Sequence, residues 1–156
     1  MKHPICNLLT LPLLVTGLLC SSLICPAQQP EGCTLRIYVD SLRNSNGVVG
    51  TVLFVSPAGW PEDLSKSFRA GPTAIEPGKH EITVEWSDIP PGDYSIVALH
   101  DENKNKKLDR NLFGWPKEGF GFSNNPHVGF GPPPFKSALL HVACPVTETT
   151  IHIIYK

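Results

Sequence analysis

From residue 33 to residue 42 the chain alternates. Leu35, Ile37 and Val39 take one parity and Arg36, Tyr38 and Asp40 the other, the period of a strand with one buried face. Asn44-Ser45-Asn46-Gly47 follows, and Asn-Gly favours the positive φ of a tight turn. Residues 48–55 are apolar on both parities, as in a strand covered on both sides, so 33–55 reads as a hairpin. Residues 56–78 carry Pro57, Pro61, Pro72 and Pro77 and read as irregular, with one helical turn between Glu62 and Phe68. Alternation returns at 80–86, with Ile82, Val84 and Trp86 inward, and a turn at 89–94 leads into a strand at 94–100. Two closing strands are predicted, 135–143 with Leu140 and Val142 inward, and 148–155 with Ile151, Ile153 and Tyr155 inward. Short strands separated by turns, with no long helical period and no repeat, predict an all-β sandwich.

One stretch breaks the pattern. Residues 101–134 contain no convincing strand or helix, and loops of that length inside compact domains are often functional or disordered. This one holds Phe113, Trp115, Phe120, Phe122 and Phe130, spaced by Gly114, Gly119, Gly121, Gly129 and Gly131. Aromatic rings each bury on the order of 150–250 Å². The segment therefore reads as an ordered flap, folded back over a sheet face, with glycines where the backbone turns or approaches closely. Trp115, Phe120 and Phe122 are expected to cap the core, and Trp60, between Pro57 and Pro61, to be the exposed aromatic.

The N-terminus narrows the setting. Lys2 and His3 precede a mostly apolar run at 8–24, and Cys25-Pro26-Ala27 ends on a small residue, which together read as a signal peptide over 1–27 and a single domain over 28–156. Lipoprotein processing would use Cys20 or Cys25, but each follows a bulky residue, Leu19 or Ile24. The expected location is secreted, periplasmic or cell-surface, with no transmembrane segment in the mature chain. Cys33 and Cys144 then remain as an even pair in an oxidising compartment and are expected to form a disulfide. The formal charge is −1, and no basic patch of the nucleic-acid-binding type is visible.

Candidate chemistry gathers where the 94–100 strand ends. Asp101, Asn103, Asn105 and Asp109, with the backbone carbonyl of Lys107, match positions 1, 3, 5, 9 and 7 of a calcium loop. The sixth position, where such loops carry Gly for a sharp turn, is Lys106, and Lys104, Lys107 and Arg110 add positive charge. Two readings stand: a Ca²⁺ site of low affinity, on the order of 10⁻⁴ to 10⁻³ M, or an Asx-rich turn without metal. Glu118 is either a remote carboxylate ligand or a solvated loop charge. His100, His127, His141 and His152 lack the spacing of a zinc site. No Gly-x-Ser-x-Gly, His-Glu-x-x-His or phosphate-binding glycine loop occurs.

Several segments together are distinctive: Pro-Gly-Asp-Tyr at 91–94, His-Asp-Glu-Asn-Lys-Asn-Lys-Lys-Leu-Asp at 100–109, Phe-Gly-Trp-Pro-Lys-Glu-Gly-Phe-Gly-Phe-Ser-Asn-Asn at 113–125 and Pro-Pro-Phe at 133–135. They resemble the family catalogued as domain of unknown function 2141, over about residues 33–155. The resemblance implies a secreted bacterial protein of one small domain and brings no established activity. Many relatives carry Gly at the sixth loop position. The Pro-Gly-Asp-Tyr segment also resembles the lead-in to a strand of prealbumin-like and Cna-B-like sandwiches, and the expected fold is an immunoglobulin-like or prealbumin-like β-sandwich with a long Gly/aromatic flap. The leading functional expectation is a non-catalytic envelope or extracellular protein, calcium-stabilised through the loop, that binds an envelope protein or a glycan. The alternative is a hydrolase-like enzyme using His100, Asp101 and Glu118 in a cleft under the 110–134 flap.

Overall fold

A computed structural model of the chain describes residues 32–156. The leader expected at 1–27 lies outside the described residues. Eight strands form two sheets: β1 Cys33–Asp40, β2 Val48–Phe54, β3 Arg69–Ala74, β4 Ile82–Ile89, β5 Gly92–Asp101, β6 Gly119–Phe122, β7 Leu139–Val142 and β8 Val146–His152. The first sheet has the order β4-β1-β8, with β1 antiparallel to β4 and parallel to β8. The second has the order β3-β2-β5-β6, and β7 also pairs with β5. The ten-residue β5 is its spine: β2 follows one edge, while β7 and then β6 share the other.

The all-β sandwich is thus as expected, and its core follows from the alternation. Leu35, Ile37 and Val39 of β1 share one apolar cluster with Val49 and Leu53 of β2, Tyr94, Ile96 and Ala98 of β5, and Ile151. The opposite parity of β1 faces water, where Arg36 bridges Glu85 on β4 and Glu148 on β8. Exposed pairs of this kind contribute little, about 0–1 kcal/mol each. Cys33 and Cys144 form the expected disulfide, their Cα atoms 4.6 Å apart, so the start of β1 is tied to the segment before β8.

Four expectations need correction. Residues 33–55 are not a hairpin: β1 belongs to one sheet and β2 to the other. Gly47 has the positive φ that its turn chemistry implies, but the turn serves a crossing between layers, and its Cα side lies against the Asp101 carbonyl, leaving no room for a side chain. The segment 56–78 is not wholly irregular, since β3 pairs along β2 as an edge strand, the position where Pro72 removes no needed donor. The helical turn within it is real, a 3₁₀ turn at Leu64–Lys66. The flap contains β6, and the first closing strand is shorter than expected because 135–138 forms a 3₁₀ turn.

Candidate functional site: a cleft under the flap

The Asp/Asn loop closes through a dense set of hydrogen bonds. Asp101 is buried at the end of β5; its Oδ1 accepts the Asn105 N–H at 3.0 Å and its Oδ2 the Lys106 N–H at 2.7 Å. Asn103 and Asn105 accept backbone N–H groups two residues on and donate their amides to the Asp109 carboxylate. Lys104 and Lys106 have φ of 63° and 65°. The sixth position therefore makes the sharp turn a calcium loop requires, with a lysine where glycine is the usual residue. Among the described residues no group of three or more His, Cys, Asp or Glu side chains is placed to hold a metal.

Glu118 is buried rather than solvated. Its Oε1 accepts the Glu102 N–H at 3.0 Å and its Oε2 the Asp109 N–H at 3.1 Å, so one carboxylate clamps both ends of the loop. Glu102 in turn receives Arg43, through Nε at 2.9 Å and through Nη2, and the Asn44 amide at 2.7 Å. The Arg43 bond holds the Glu102 carboxyl below its ordinary range, more than partial burial raises it. Arg43 also donates to the Lys117 carbonyl and stacks on the Tyr155 ring, 4.6 Å from its centroid. Arg43 and Glu102 thus tie the β1–β2 crossing to the flap; no motif in the sequence marks the pair.

His100 stands apart from these carboxylates. Successive strand residues point to opposite faces, so His100 enters the space between the sheets while Asp101 lies on the flap side. The Asn46 carbonyl can only accept, so Nε2 (2.9 Å) donates to it; in the neutral ring Nδ1 accepts the Tyr155 hydroxyl at 2.6 Å. The Tyr155 oxygen accepts the Arg43 N–H, and burial raises its phenol above the ordinary value. The three residues of the hydrolase-like reading, His100, Asp101 and Glu118, do not converge on one space. His127 is exposed, and His141 and His152 sit on the surface beside Asp93 and Asp40.

What the flap does build is a cleft. In β6, Gly119 and Gly121 face β8 and its continuation: a Cβ at Gly119 would lie 2.4 Å from Ile153, and one at Gly121 2.6 Å from Ile151. Phe120 and Ile154 exchange backbone hydrogen bonds at that contact. Gly-Phe-Gly-Phe is therefore a strand whose bare face allows close approach and whose other face carries two rings. Phe120 and Phe122 are buried as expected. Cross-strand partners share a face, so Val52, Val97 and Phe122 form one row, and Leu99 and Phe120 another with Gly50 beyond them. These rows floor a cleft of about 550 Å³, walled by Leu108, Val128, Trp115 and Phe130.

Of the remaining flap aromatics, Trp115 departs from expectation. Trp115 is 40 % exposed, and Phe113 and Phe130 are 86 % and 99 % exposed. Residues 110–116 form a small hairpin, bridged between Arg110 and Pro116 and held inside by the Asn111 side chain, which accepts the Phe113 and Trp115 N–H groups. Arg110 pairs with Glu62 and so anchors the hairpin to the β2–β3 connection. Trp60 is half-buried, contrary to expectation, because its ring packs among Phe54, Phe122 and Phe135 and its Nε1 donates to the Pro133 carbonyl at 2.9 Å. The spacing of the glycines signals the ordered flap, but it does not say which rings turn outward.

No curated protein and no solved structure matches the chain. Among the described residues no helix is long and apolar enough to cross a membrane. A family model described as an uncharacterized protein conserved in bacteria matches residues 37–150, which spans β1 to β8 and the whole flap, and the chain belongs to that family, DUF2141.

Proposed function

We propose that this protein is a non-catalytic binding sandwich of the bacterial envelope or exterior, whose ligand seat is the cleft between the flap and the outer face of the second sheet. The observation that carries the reading is the lining. Among the described residues that form it are aliphatic, aromatic, Pro and Gly positions, four cations and Glu62, and no Ser, Thr, Asn, Gln or Tyr. A cleft of this size, lined mainly by apolar and aromatic side chains, suits an apolar ligand or an apolar segment of a partner. A Cys33–Cys144 disulfide accords with an oxidising compartment. The carboxylates that hold the Asp/Asn loop support a structural role, since both oxygens of Asp101 and of Glu118 already accept backbone N–H groups.

The test uses N-phenyl-1-naphthylamine, a neutral apolar dye whose emission rises on leaving water. The wild-type protein is expected to bind it. Leu99→Trp obstructs the floor beside Gly50, where no side chain competes for space, and is expected to weaken binding about tenfold while the protein stays folded. Absence of dye binding, or equal binding by Leu99→Trp, refutes the reading.

The Asp/Asn loop is proposed to take Ca²⁺ weakly, as a staple for the wall that Lys106, Lys107 and Leu108 contribute. The positive φ at Lys106 favours this reading. For an ion to enter, the Asn103 and Asn105 amides must turn their oxygens toward Asp109 in place of their nitrogens.

A further inference from the structure

Among the described residues, the three most exposed large apolar side chains all lie on the flap: Leu112, Phe130 and Phe113. Leu112 and Phe113 are the tip of the 110–116 hairpin, where they touch water instead of the fold. Phe130 faces Trp115 at the cleft, ring centroids 6.1 Å apart. Their apolar surface adds nothing to the core, and exposed apolar groups brought together in this way mark interaction surfaces.

The charge around them is mostly positive, with Glu62, paired to Arg110, the one acid among the described residues of the cleft lining. Lys106, Lys107 and Arg110 line the same cleft as Phe113, Trp115 and Phe130. The acids of the segment are spent on the fold: Asp101 and Glu118 are buried on backbone N–H groups, Glu102 holds Arg43, and Asp109 takes the two Asn amides. Asp101 and Glu118 are buried while Lys104, Lys106 and Lys107 are exposed, so the solvent side of the stretch is weighted toward positive charge. Protein interfaces are depleted in lysine and seat their aromatics in packed pockets. A projecting apolar tip ringed by cations on long stems, with a tryptophan at its edge, instead matches the boundary of a lipid bilayer.

We propose that the flap docks the protein on an anionic lipid surface, with Leu112, Phe113 and Phe130 entering the acyl boundary and Lys106 and Lys107 meeting the headgroup phosphates. This surface shares Phe113, Phe130, Lys106 and Lys107 with the cleft lining, but the proposal does not depend on what the cleft binds.

The test is co-sedimentation with vesicles of phosphatidylcholine alone or with about 30 % phosphatidylglycerol. It uses protein purified after export, its N-terminus fixed by intact mass. The expected result is about tenfold or greater preference for the anionic vesicles at about 0.1 M salt, largely lost at about 0.5 M. Phe113→Ser with Phe130→Ser is expected to reduce binding about tenfold or more at an unchanged thermal midpoint, because both rings are exposed. Lys106→Gln with Lys107→Gln is expected to reduce the preference for anionic vesicles by about fivefold or more. The proposal is overturned by no vesicle binding, by equal binding to both vesicles, or by a Phe variant that binds like wild type. It is equally overturned if the protein ignores vesicles but self-associates in a manner the Phe variant abolishes, which would make a second copy the partner.

Discussion

Glu118→Gln tests the loop clamp most directly. The wild-type side chain is 4 % exposed and uses one oxygen for the Glu102 N–H and the other for the Asp109 N–H. Glutamine keeps the shape but replaces one oxygen with an NH₂ donor. Whichever way the amide turns, a backbone N–H then faces a donor and loses its acceptor, and the surviving bond is no longer to a charged group. A hydrogen bond to a charged group contributes about 1.5–3 kcal/mol, and a buried donor left unpaired costs about 1–3 kcal/mol. The expected loss is about 2–4 kcal/mol. At about 3–5 °C per kcal/mol for a domain of this size, the thermal midpoint should fall by about 6–20 °C. Because a loop can open ahead of the core, hydrogen exchange at the Glu102 and Asp109 amides should accelerate by more than the midpoint alone implies. Circular dichroism melting and amide exchange measure the two effects. Glu85→Gln, on the exposed Arg36 bridge, is the comparison and should change stability by less than about 1 kcal/mol. A Glu118→Gln midpoint within about 2 °C of wild type, with both amides still protected, would mean that the carboxylate does not clamp the loop.

Replacing both Cys33 and Cys144 by Ala opens a cross-link spanning 111 residues and is expected to cost about 4–5 kcal/mol in denaturant unfolding; an unchanged midpoint would show that the bridge does not constrain the unfolded chain. At about ten times its Kd, Ca²⁺ is expected to stabilise the protein by about 1.4 kcal/mol. Asp101→Ala should abolish that rise, Asp93→Ala should keep it and Lys106→Gly should strengthen it; a midpoint indifferent to chelator and to millimolar Ca²⁺ leaves the loop a hydrogen-bonded turn. For pH, the Arg43 bond sets the Glu102 carboxyl lower in the folded state than in the unfolded chain, so its stabilisation is present above the ordinary value of 4.5 and is lost as pH falls through the folded value. The stability gap between wild type and Glu102→Gln should accordingly be full near neutrality and shrink in acid; a gap independent of pH removes the ion pair as its source.

The strands with strict alternation were legible because period two encodes which side of a residue is dry. Arg36 and Tyr38 against Leu35 and Ile37 placed β1 correctly, and the apolar run at 48–55 announced a strand buried on both faces. Cys33 and Cys144 were legible as the only pair left beside predicted strands. β6 was not, since Gly-Phe-Gly-Phe carries no apolar alternation of the usual kind. Its glycines make sense only once Ile151 and Ile153 are known to press against them.

Within the candidate site, the sequence by itself determined that the Asp/Asn loop turns sharply and that the flap is ordered by aromatic and glycine spacing. It did not determine the layer to which a strand belongs, because the same turn chemistry at Asn44–Gly47 serves a hairpin or a crossing between sheets. Nor did it determine whether Glu118 meets water or two backbone N–H groups, whether Trp60 is covered, or whether Phe113 and Phe130 point inward. Local periodicity reports the polarity of an element's two faces, while those outcomes depend on what lies opposite. Here the opposing groups are distant in sequence: Tyr155 beside Arg43 and His100, Glu62 beside Arg110, Pro133 beside Trp60. Only tertiary packing brings them together, and with them the cleft and its positive mouth.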